Sequence, residues 1–194
     1  MPRTPVLPEK TRLRREELLA GLRELFLREG FAGLGVGELA ARLRCSRTTL
    51  YLVAPSKEQI VVATVRSYFK NAAERVEARV AACDEPGLRL ATYLEAVASE
   101  LQPASEAFYT DLAGFAPANE VYQANTGFAA QRVQQLVVEG VEAGALRPVN
   151  ASFVGAAVAQ VMSAIQTGEI EAATGLADAE AYRQLADLVL AGLA

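Results

Sequence analysis

The sequence predicts an all-α protein with a small N-terminal helical domain followed by a longer helical body. Three observations support this class. Apolar residues recur at helical spacing from Thr11 onward, strand-like alternation is absent, and the breaks between periodic segments fall at proline and glycine. The 194 residues are enough for one or two domains with a sizeable buried core. We expect about nine helices in total.

The N-terminal part is predicted to hold an arm and three helices. Residues 1–10 contain three prolines and little that could pack, so we expect a flexible arm. The first helix covers residues 11–29, and a shorter second helix covers about 36–43. A turn at residues 44–46 then leads into a short polar helix, which Pro55 ends.

The chain is expected to divide into a helix-turn-helix domain at residues 11–56 and a helical body at residues 57–194. The breaks in the body fall at proline and glycine. Its helices are expected at about 57–82, 88–101, 105–114, 118–144, 150–171 and 178–193.

Charge is distributed unevenly along the chain. Residues 1–60 hold eleven Lys and Arg against seven Asp and Glu, whereas residues 61–194 hold eight against sixteen. A basic first third is typical of a surface that faces a polyanion, although charge also varies between segments of any protein.

The residue types argue against an enzyme. There is no histidine, which removes the commonest general base and transition-metal ligand. The sequence also lacks the glycine-rich phosphate-binding motifs. We therefore expect no catalytic residue, no metal site and no cofactor.

The sequence suggests a cytoplasmic protein. Cys45 and Cys83 are far apart and match no metal-ligand spacing, as expected in a reducing compartment. No apolar run is long enough to cross a bilayer, and the first residues lack the apolar stretch of a secretory signal. No membrane partner is expected.

The short polar helix after residue 46 is too short to be stable alone, yet it carries an arginine, two threonines and a tyrosine. Two helices joined by a tight turn, with the second one polar, form the helix-turn-helix plan of DNA-binding proteins. Ser46 is expected to cap this helix, and Leu50 is expected to anchor it to the core.

Residues 11–60 resemble the DNA-binding domain of the tetracycline-repressor (TetR-type) family of bacterial transcriptional regulators. The resemblance includes Gly30-Phe31, Leu39-Ala40 and Ser46. It continues through Thr49-Leu50-Tyr51 and Ser56-Lys57-Glu58 and ends on Ile60. A chain of about 200 residues that continues as an all-α body is also similar to this family.

The resemblance implies DNA contacts for specific residues. Thr49, Tyr51 and Lys57 are expected to contact the DNA backbone, and their hydroxyl and ammonium groups suit phosphate. Arg47 and Thr48 occupy the variable positions that face bases, where an arginine can read guanine. Alternatively, Tyr51 packs in the interior and Lys57 belongs to a solvated helix start.

The sequence departs from the family pattern at four positions. Gly35 stands where a threonine is usual, and Arg44 replaces a turn glycine and is expected to need a positive φ. Val53 and Ala54 replace a His-Phe pair. Either DNA binding persists, with Arg44 and Arg47 adding positive charge, or it has decayed. We favour persistence, because Thr49, Tyr51 and Lys57 remain together.

The body is implied by the resemblance to dimerise and to hold a small-molecule pocket. The last two long helices carry apolar stripes suited to a four-helix dimer interface, although an ordinary internal core remains an alternative. The candidate dimer residues are Val154, Val158, Val161, Met162, Ile165, Tyr182, Leu185, Leu188 and Val189.

The aromatic residues point to where a ligand would bind, since five of the thirteen fall between positions 108 and 128. Aromatics at helical spacing are also common in plain cores. The candidate ligand residues are Phe69, Tyr93, Phe108, Tyr109, Phe115, Tyr122, Phe128, Arg132, Met162 and Gln166. A hydrophobic or aromatic effector is expected.

The expected function is a homodimeric transcriptional regulator, a repressor, that binds a palindromic double-stranded operator and releases it when the effector binds. The alternative is a helical interaction or ligand-sequestering protein whose helix-turn-helix no longer binds DNA.

Overall fold

The computed structural model describes residues 8–193, and the regular structure of this part of the chain is entirely helical. The predicted all-α class is confirmed. In chain order the helices are α1 (Glu9–Glu29), α2 (Val36–Arg42), α3 (Arg47–Leu50), α4 (Lys57–Ala81), α5 (Pro86–Leu101), α6 (Glu106–Gly114), α7 (Ala116–Glu142), α8 (Ala151–Gln166), α9 (Glu169–Thr174) and α10 (Asp178–Leu193).

The helix predicted at 150–171 is in fact two helices. The described residues therefore contain ten helices rather than about nine. Helix α8 ends at Gln166, and Gly168 adopts a left-handed conformation with φ 75° before α9 begins. An isolated glycine within an apolar helical pattern does not reveal such a break, because helices also tolerate glycine at a modest cost.

The prolines mark helix starts more often than the sequence suggested. The carbonyl of Pro8 accepts hydrogen bonds from the amides of Thr11 and Arg12 at 2.9 and 3.0 Å, so α1 begins within the predicted arm. The rest of that arm, residues 1–7, lies outside the described residues. Pro86 and Pro117 occupy the first turns of α5 and α7, where a missing amide proton costs little.

Helices α1, α2 and α3 pack with the first turns of α4 around one apolar core, and we call this unit the head. Leu22, Leu39, Leu50 and Ile60 contribute one side chain from each of these helices, and all four are 0% exposed. The four-residue helix α3 is therefore held by tertiary contacts rather than by its own stability.

Helices α5 to α10 pack with the rest of α4 to form the body. Helix α5 packs against α4, α7 and α10, and α8 packs against α7 and α10. Helix α4 belongs to both parts, since Ile60 is buried in the head while Phe69 and Val76 are buried in the body. Among residues 8–193, no helix combines the length and apolarity needed to span a bilayer.

A second joint between head and body is built around Phe31, in the loop after α1. Its ring lies 5.4 Å from Phe26, 6.2 Å from Phe108 and 6.3 Å from Phe115, measured between centroids. On the body side, Phe108 lies in helix α6 and Phe115 directly follows it. This aromatic cluster packs the end of α1 against the body.

The carboxylate of Asp111 in α6 holds the same loop. Its Oδ2 accepts hydrogen bonds from the amides of Phe31 and Ala32 at 2.5 and 2.8 Å. Lys57, at the start of α4, donates from Nζ to the carbonyl of Ala32 at 3.1 Å. Gly30 adopts φ 73° beside this carboxylate, and an added Cβ would collide with it.

Replacing Asp111 should destabilise the protein as a whole. Asp111→Ala leaves two loop amides without their acceptor, so we expect the free energy of unfolding to fall by about 2–3 kcal/mol. Urea unfolding followed by circular dichroism measures the change. Asp84→Ala, at an exposed carboxylate between α4 and α5, is the control and should change stability little. Equal losses in the two variants would show that Asp111 does not secure the joint.

Candidate functional site

The turn between α2 and α3 is closed by a residue with an unusual backbone. Arg44 has φ 50°, which confirms the predicted positive angle at this position. Its amide donates to Ala41 at 3.1 Å, and the amide of Cys45 donates to Ala40 at 2.9 Å. The turn thus keeps a helix-ending geometry that usually takes glycine, at a cost of about 1–2 kcal/mol.

Helix α3 is fixed at both ends. At its start, the Thr49 amide donates to Ser46 Oγ at 3.0 Å, which confirms the predicted cap. At its end, Leu50 is fully buried, and Val53 just after it is also buried. Of the polar residues between these points, Arg47 and Thr48 are exposed, whereas Thr49 is half-buried and its hydroxyl lies 2.8 Å from that of Ser46.

The polar side chains of the α2–α3 region are free to meet a partner. Arg44, Arg47 and Thr48 are exposed, and Tyr51 is 44% exposed. Among residues 8–193, neither Arg44 nor Arg47 forms an ion pair, although Arg42 pairs with Glu29 and Glu38. The interior alternative for Tyr51 therefore does not hold.

Arg47 rests against α2. A Cβ on Gly37 would lie 2.7 Å from Nη2 of Arg47, so the guanidinium occupies the space that this glycine leaves. Lys57 is half-buried and donates one hydrogen bond to the carbonyl of Ala32. Its two other ammonium protons remain for another acceptor.

The residues that depart from the family pattern lie before α2 and after α3. Gly35 precedes α2 without any side-chain cap. Val53 fills part of the core, Ala54 is half-buried, and Arg15 donates from Nε to the carbonyl of Val53 at 3.4 Å.

The body contains a cleft of about 130 Å³ between α4, α5, α7, α8 and α10. Its walls are mainly aromatic and aliphatic. The rings of Phe69 and Tyr122 stack in parallel at 5.3 Å, and Phe128 is exposed at the rim. Such an apolar concavity with a few polar groups is typical of a small-molecule site.

The deep end of the cleft is polar. The hydroxyls of Tyr122 and Tyr182 are 3.0 Å apart, and Gln166 Nε2 donates to Tyr182 at 3.4 Å and to Thr126 Oγ1. Burial raises the pKa of Tyr182 to about 12, with hydrogen bonds from Tyr122 and Gln166 opposing the shift. Burial likewise raises the pKa of Tyr122 well above its ordinary value, so both phenols are neutral at physiological pH.

The rim of the cleft carries ion pairs. Arg132 Nε donates to both oxygens of Glu77 at 3.0 and 3.3 Å, and its Nη1 donates to Glu139 at 3.3 Å. Glu100 accepts two hydrogen bonds from Arg75, at 2.9 and 2.5 Å.

Residues 18–64 match the family model described as bacterial regulatory proteins, tetR family. The N-terminal domain is a TetR-family helix-turn-helix domain. This confirms the resemblance proposed from Ser46, Thr49-Leu50-Tyr51 and Lys57, all of which lie inside the matched range. No curated protein sequence matches the chain.

Solved structures extend the likeness to the whole chain. A TetR transcription regulator from Haloarcula marismortui has a TM-score of 0.74 at 15% identity, covering 94% of this chain and 98% of its own. A transcriptional regulator from Saccharomonospora viridis in complex with choline has a TM-score of 0.70 at 19% identity, with the same coverages. The reduced form of NemR from E. coli has a TM-score of 0.68 at 19% identity, covering 93% and 98%. At these identities the likeness shows a shared fold.

The body places the predicted ligand residues in three different environments. Phe69, Tyr93, Tyr122, Phe128, Arg132 and Met162 line the cleft. Tyr109 and Gln166 border a neighbouring groove, and Phe108 and Phe115 belong to the joint around Phe31. Sequence reasoning missed Glu77, Glu100, Thr126 and Tyr182, which also line the cleft.

The predicted dimer residues divide in a similar way. Val158, Met162, Ile165, Tyr182 and Leu185 are buried within the chain itself, as expected for an internal core. Val154, Val161, Leu188 and Val189 line a shallow groove between α8 and α10 together with Phe153, and Val158 and Leu185 form part of its floor. Phe153 and Leu188 are 72% and 71% exposed, so the body presents an apolar face outward.

Proposed function

We propose that this chain is a homodimeric, ligand-responsive transcriptional repressor that binds a palindromic operator and releases it when a small hydrophobic or aromatic effector enters the cleft. The observation that supports the proposal is the exposed set of polar side chains on and beside helix α3, a helix that the head holds in place. This set comprises Arg44 and Arg47, which form no ion pair within the described part of the chain, together with Thr48 and Tyr51.

The roles proposed for these residues follow from their chemistry. Thr49, Tyr51 and Lys57 donate to phosphates and set the position of the head on the duplex. Arg47 and Thr48 lie at the N-terminus of α3, the part of a recognition helix that meets base edges in the major groove. Arg44 adds positive charge beside them. Ser46 caps α3, whose N-terminus is proposed to face the DNA backbone.

The exposed face of α8 and α10 is proposed to form the dimer. Two helices from each subunit would bury Phe153 and Leu188 in a four-helix interface. A dimer places two recognition helices about 34–36 Å apart when it binds successive major grooves, which accounts for a palindromic operator.

Helix α4 is proposed to transmit the effector signal. It begins beside the DNA-facing Lys57 and continues to the cleft wall at Phe69 and Val76. An effector that binds one tilt of α4 better than another shifts the population of head spacings and lowers operator affinity. The S. viridis neighbour is a complex with choline, which supports a small organic ligand for a body of this fold.

Substitutions in the head should separate base reading from backbone binding. On an operator selected by the wild-type protein from random DNA, Arg47→Ala should lose about 1–3 kcal/mol of binding and accept more sequences. Lys57→Gln keeps a donor for Ala32 but removes the charge. It should weaken binding to all DNA and reduce the salt slope by about one per subunit. Gel-shift titrations at several salt concentrations measure both effects.

Arg79→Ala is the matched control, because Arg79 is exposed at the far end of α4. It should leave DNA binding unchanged. If the wild-type protein selects no discrete sequence, the head has lost its function and the chain acts through its helical body instead.

Substitution on the outer face should disrupt the dimer. Leu188→Asp places a carboxylate in the proposed interface, and we expect at least about a tenfold loss of dimerisation and a parallel loss of operator binding. Sedimentation velocity measures the first and gel shift the second. Leu88→Asp, on a leucine that is 52% exposed in α5, is the control and should remain dimeric. A Leu188→Asp protein that still dimerises would place the interface elsewhere.

A further inference from the structure

The cleft is the size of one aromatic ring. Its volume of about 130 Å³ is close to the ~150 Å³ of an engineered apolar cavity that binds benzene. The parallel rings of Phe69 and Tyr122 and the side chain of Met162 provide apolar walls for such a ring.

The charges around the cleft are already paired with one another. Glu77 is engaged by Arg132 and Glu100 by Arg75, and Arg132 also reaches Glu139. Side chains of Glu100 and Arg132 are only 19% and 25% exposed, so these pairs are partly shielded from water. A charged ligand would have to break one of them and leave its partner uncompensated, which favours an uncharged ligand.

The deep end of the cleft offers a hydrogen-bond donor. Tyr122 and Tyr182 share one hydrogen bond, which uses one of their two phenolic protons. The amide of Gln166 donates towards Tyr182, and the hydroxyl of Thr126 donates to the carbonyl of Tyr122 at 3.1 Å. Both phenolic oxygens have a partner, but among the hydrogen bonds of residues 8–193 only the one they share places a phenolic proton, and both tyrosines are almost fully buried.

From this geometry we propose that the effector is a small, uncharged, single-ring aromatic compound whose oxygen accepts a hydrogen bond from the Tyr122–Tyr182 pair. This inference rests on the proposed ligand-responsive function and specifies its ligand. A buried donor without an acceptor discriminates strongly against a compound that lacks the oxygen, because that compound leaves the donor unsatisfied.

Five compounds with nearly the same skeleton test the proposal on the full-length protein by calorimetry. Acetophenone and 1-phenylethanol carry an acceptor oxygen, and ethylbenzene lacks it. The 1-phenylethylammonium ion and benzoate add opposite charges. We expect the two oxygenated neutral compounds to bind about tenfold tighter than ethylbenzene, the effect of one buried hydrogen bond, and tighter than either ion.

The double variant Tyr122→Phe/Tyr182→Phe should bind ethylbenzene and acetophenone with equal affinity. Both hydroxyls must be removed, since either phenol alone keeps a proton to donate. Tyr68→Phe, on a buried body tyrosine that does not line the cleft and donates to the carbonyl of Glu100, is the control and should keep the tenfold preference. If the double variant does not fold, the order of the affinities of the five compounds for the wild-type protein still tests the proposal.

Tighter binding of either ion, equal binding of ethylbenzene, no binding of any compound, or a preference that survives in the double variant would overturn the proposal. Operator affinity measured with and without acetophenone separates this inference from effector control. If the compounds bind in the expected order but acetophenone leaves operator affinity unchanged, the ligand class is supported and the proposed release of the operator by the effector is contradicted.

Discussion

Everything that the head can do depends on holding a four-residue helix that cannot exist alone. Helix α3 gains its stability from the Ser46 cap at one end and the burial of Leu50 at the other. The turn at Arg44, with its positive φ, sets the direction of α3 relative to α2. Because these supports use the inner face of α3, its outer face carries Arg47, Thr48 and the nearby Tyr51, which are exposed to solvent. These exposed donors are the physical basis for the proposed DNA-binding role.

The head and the body are linked by shared structural elements. Helix α4 carries core residues of both parts, and Asp111 holds the loop that Lys57 also contacts. The proposed phosphate-binding lysine therefore shares one loop, through Ala32, with a carboxylate of the body. Under the proposed function, a change of packing around α6 can reach Lys57 by this short route as well as along α4.

The sequence predicts the features that depend on interactions between residues close together in the chain. The cap at Ser46, the anchor at Leu50 and the positive φ at Arg44 each follow from residues a few positions apart, and the structure bears out all three. Sequence patterns could not show that Asp111 caps a loop 80 residues away, or that Phe115 joins Phe31 rather than a ligand. An apolar stripe does not reveal which side of a helix faces the chain's own core, and Tyr182, a predicted interface residue, is buried in that core.

The central claim is that α3 enters the major groove and that Arg47 reads a base there. The most direct measurement is methylation of guanine N7 in the selected operator, followed by separation of bound from free DNA. If the claim is right, methylation at one symmetric pair of guanines blocks the wild-type protein and has no effect on Arg47→Ala. The same interference pattern for both proteins, or none at any guanine, would contradict it.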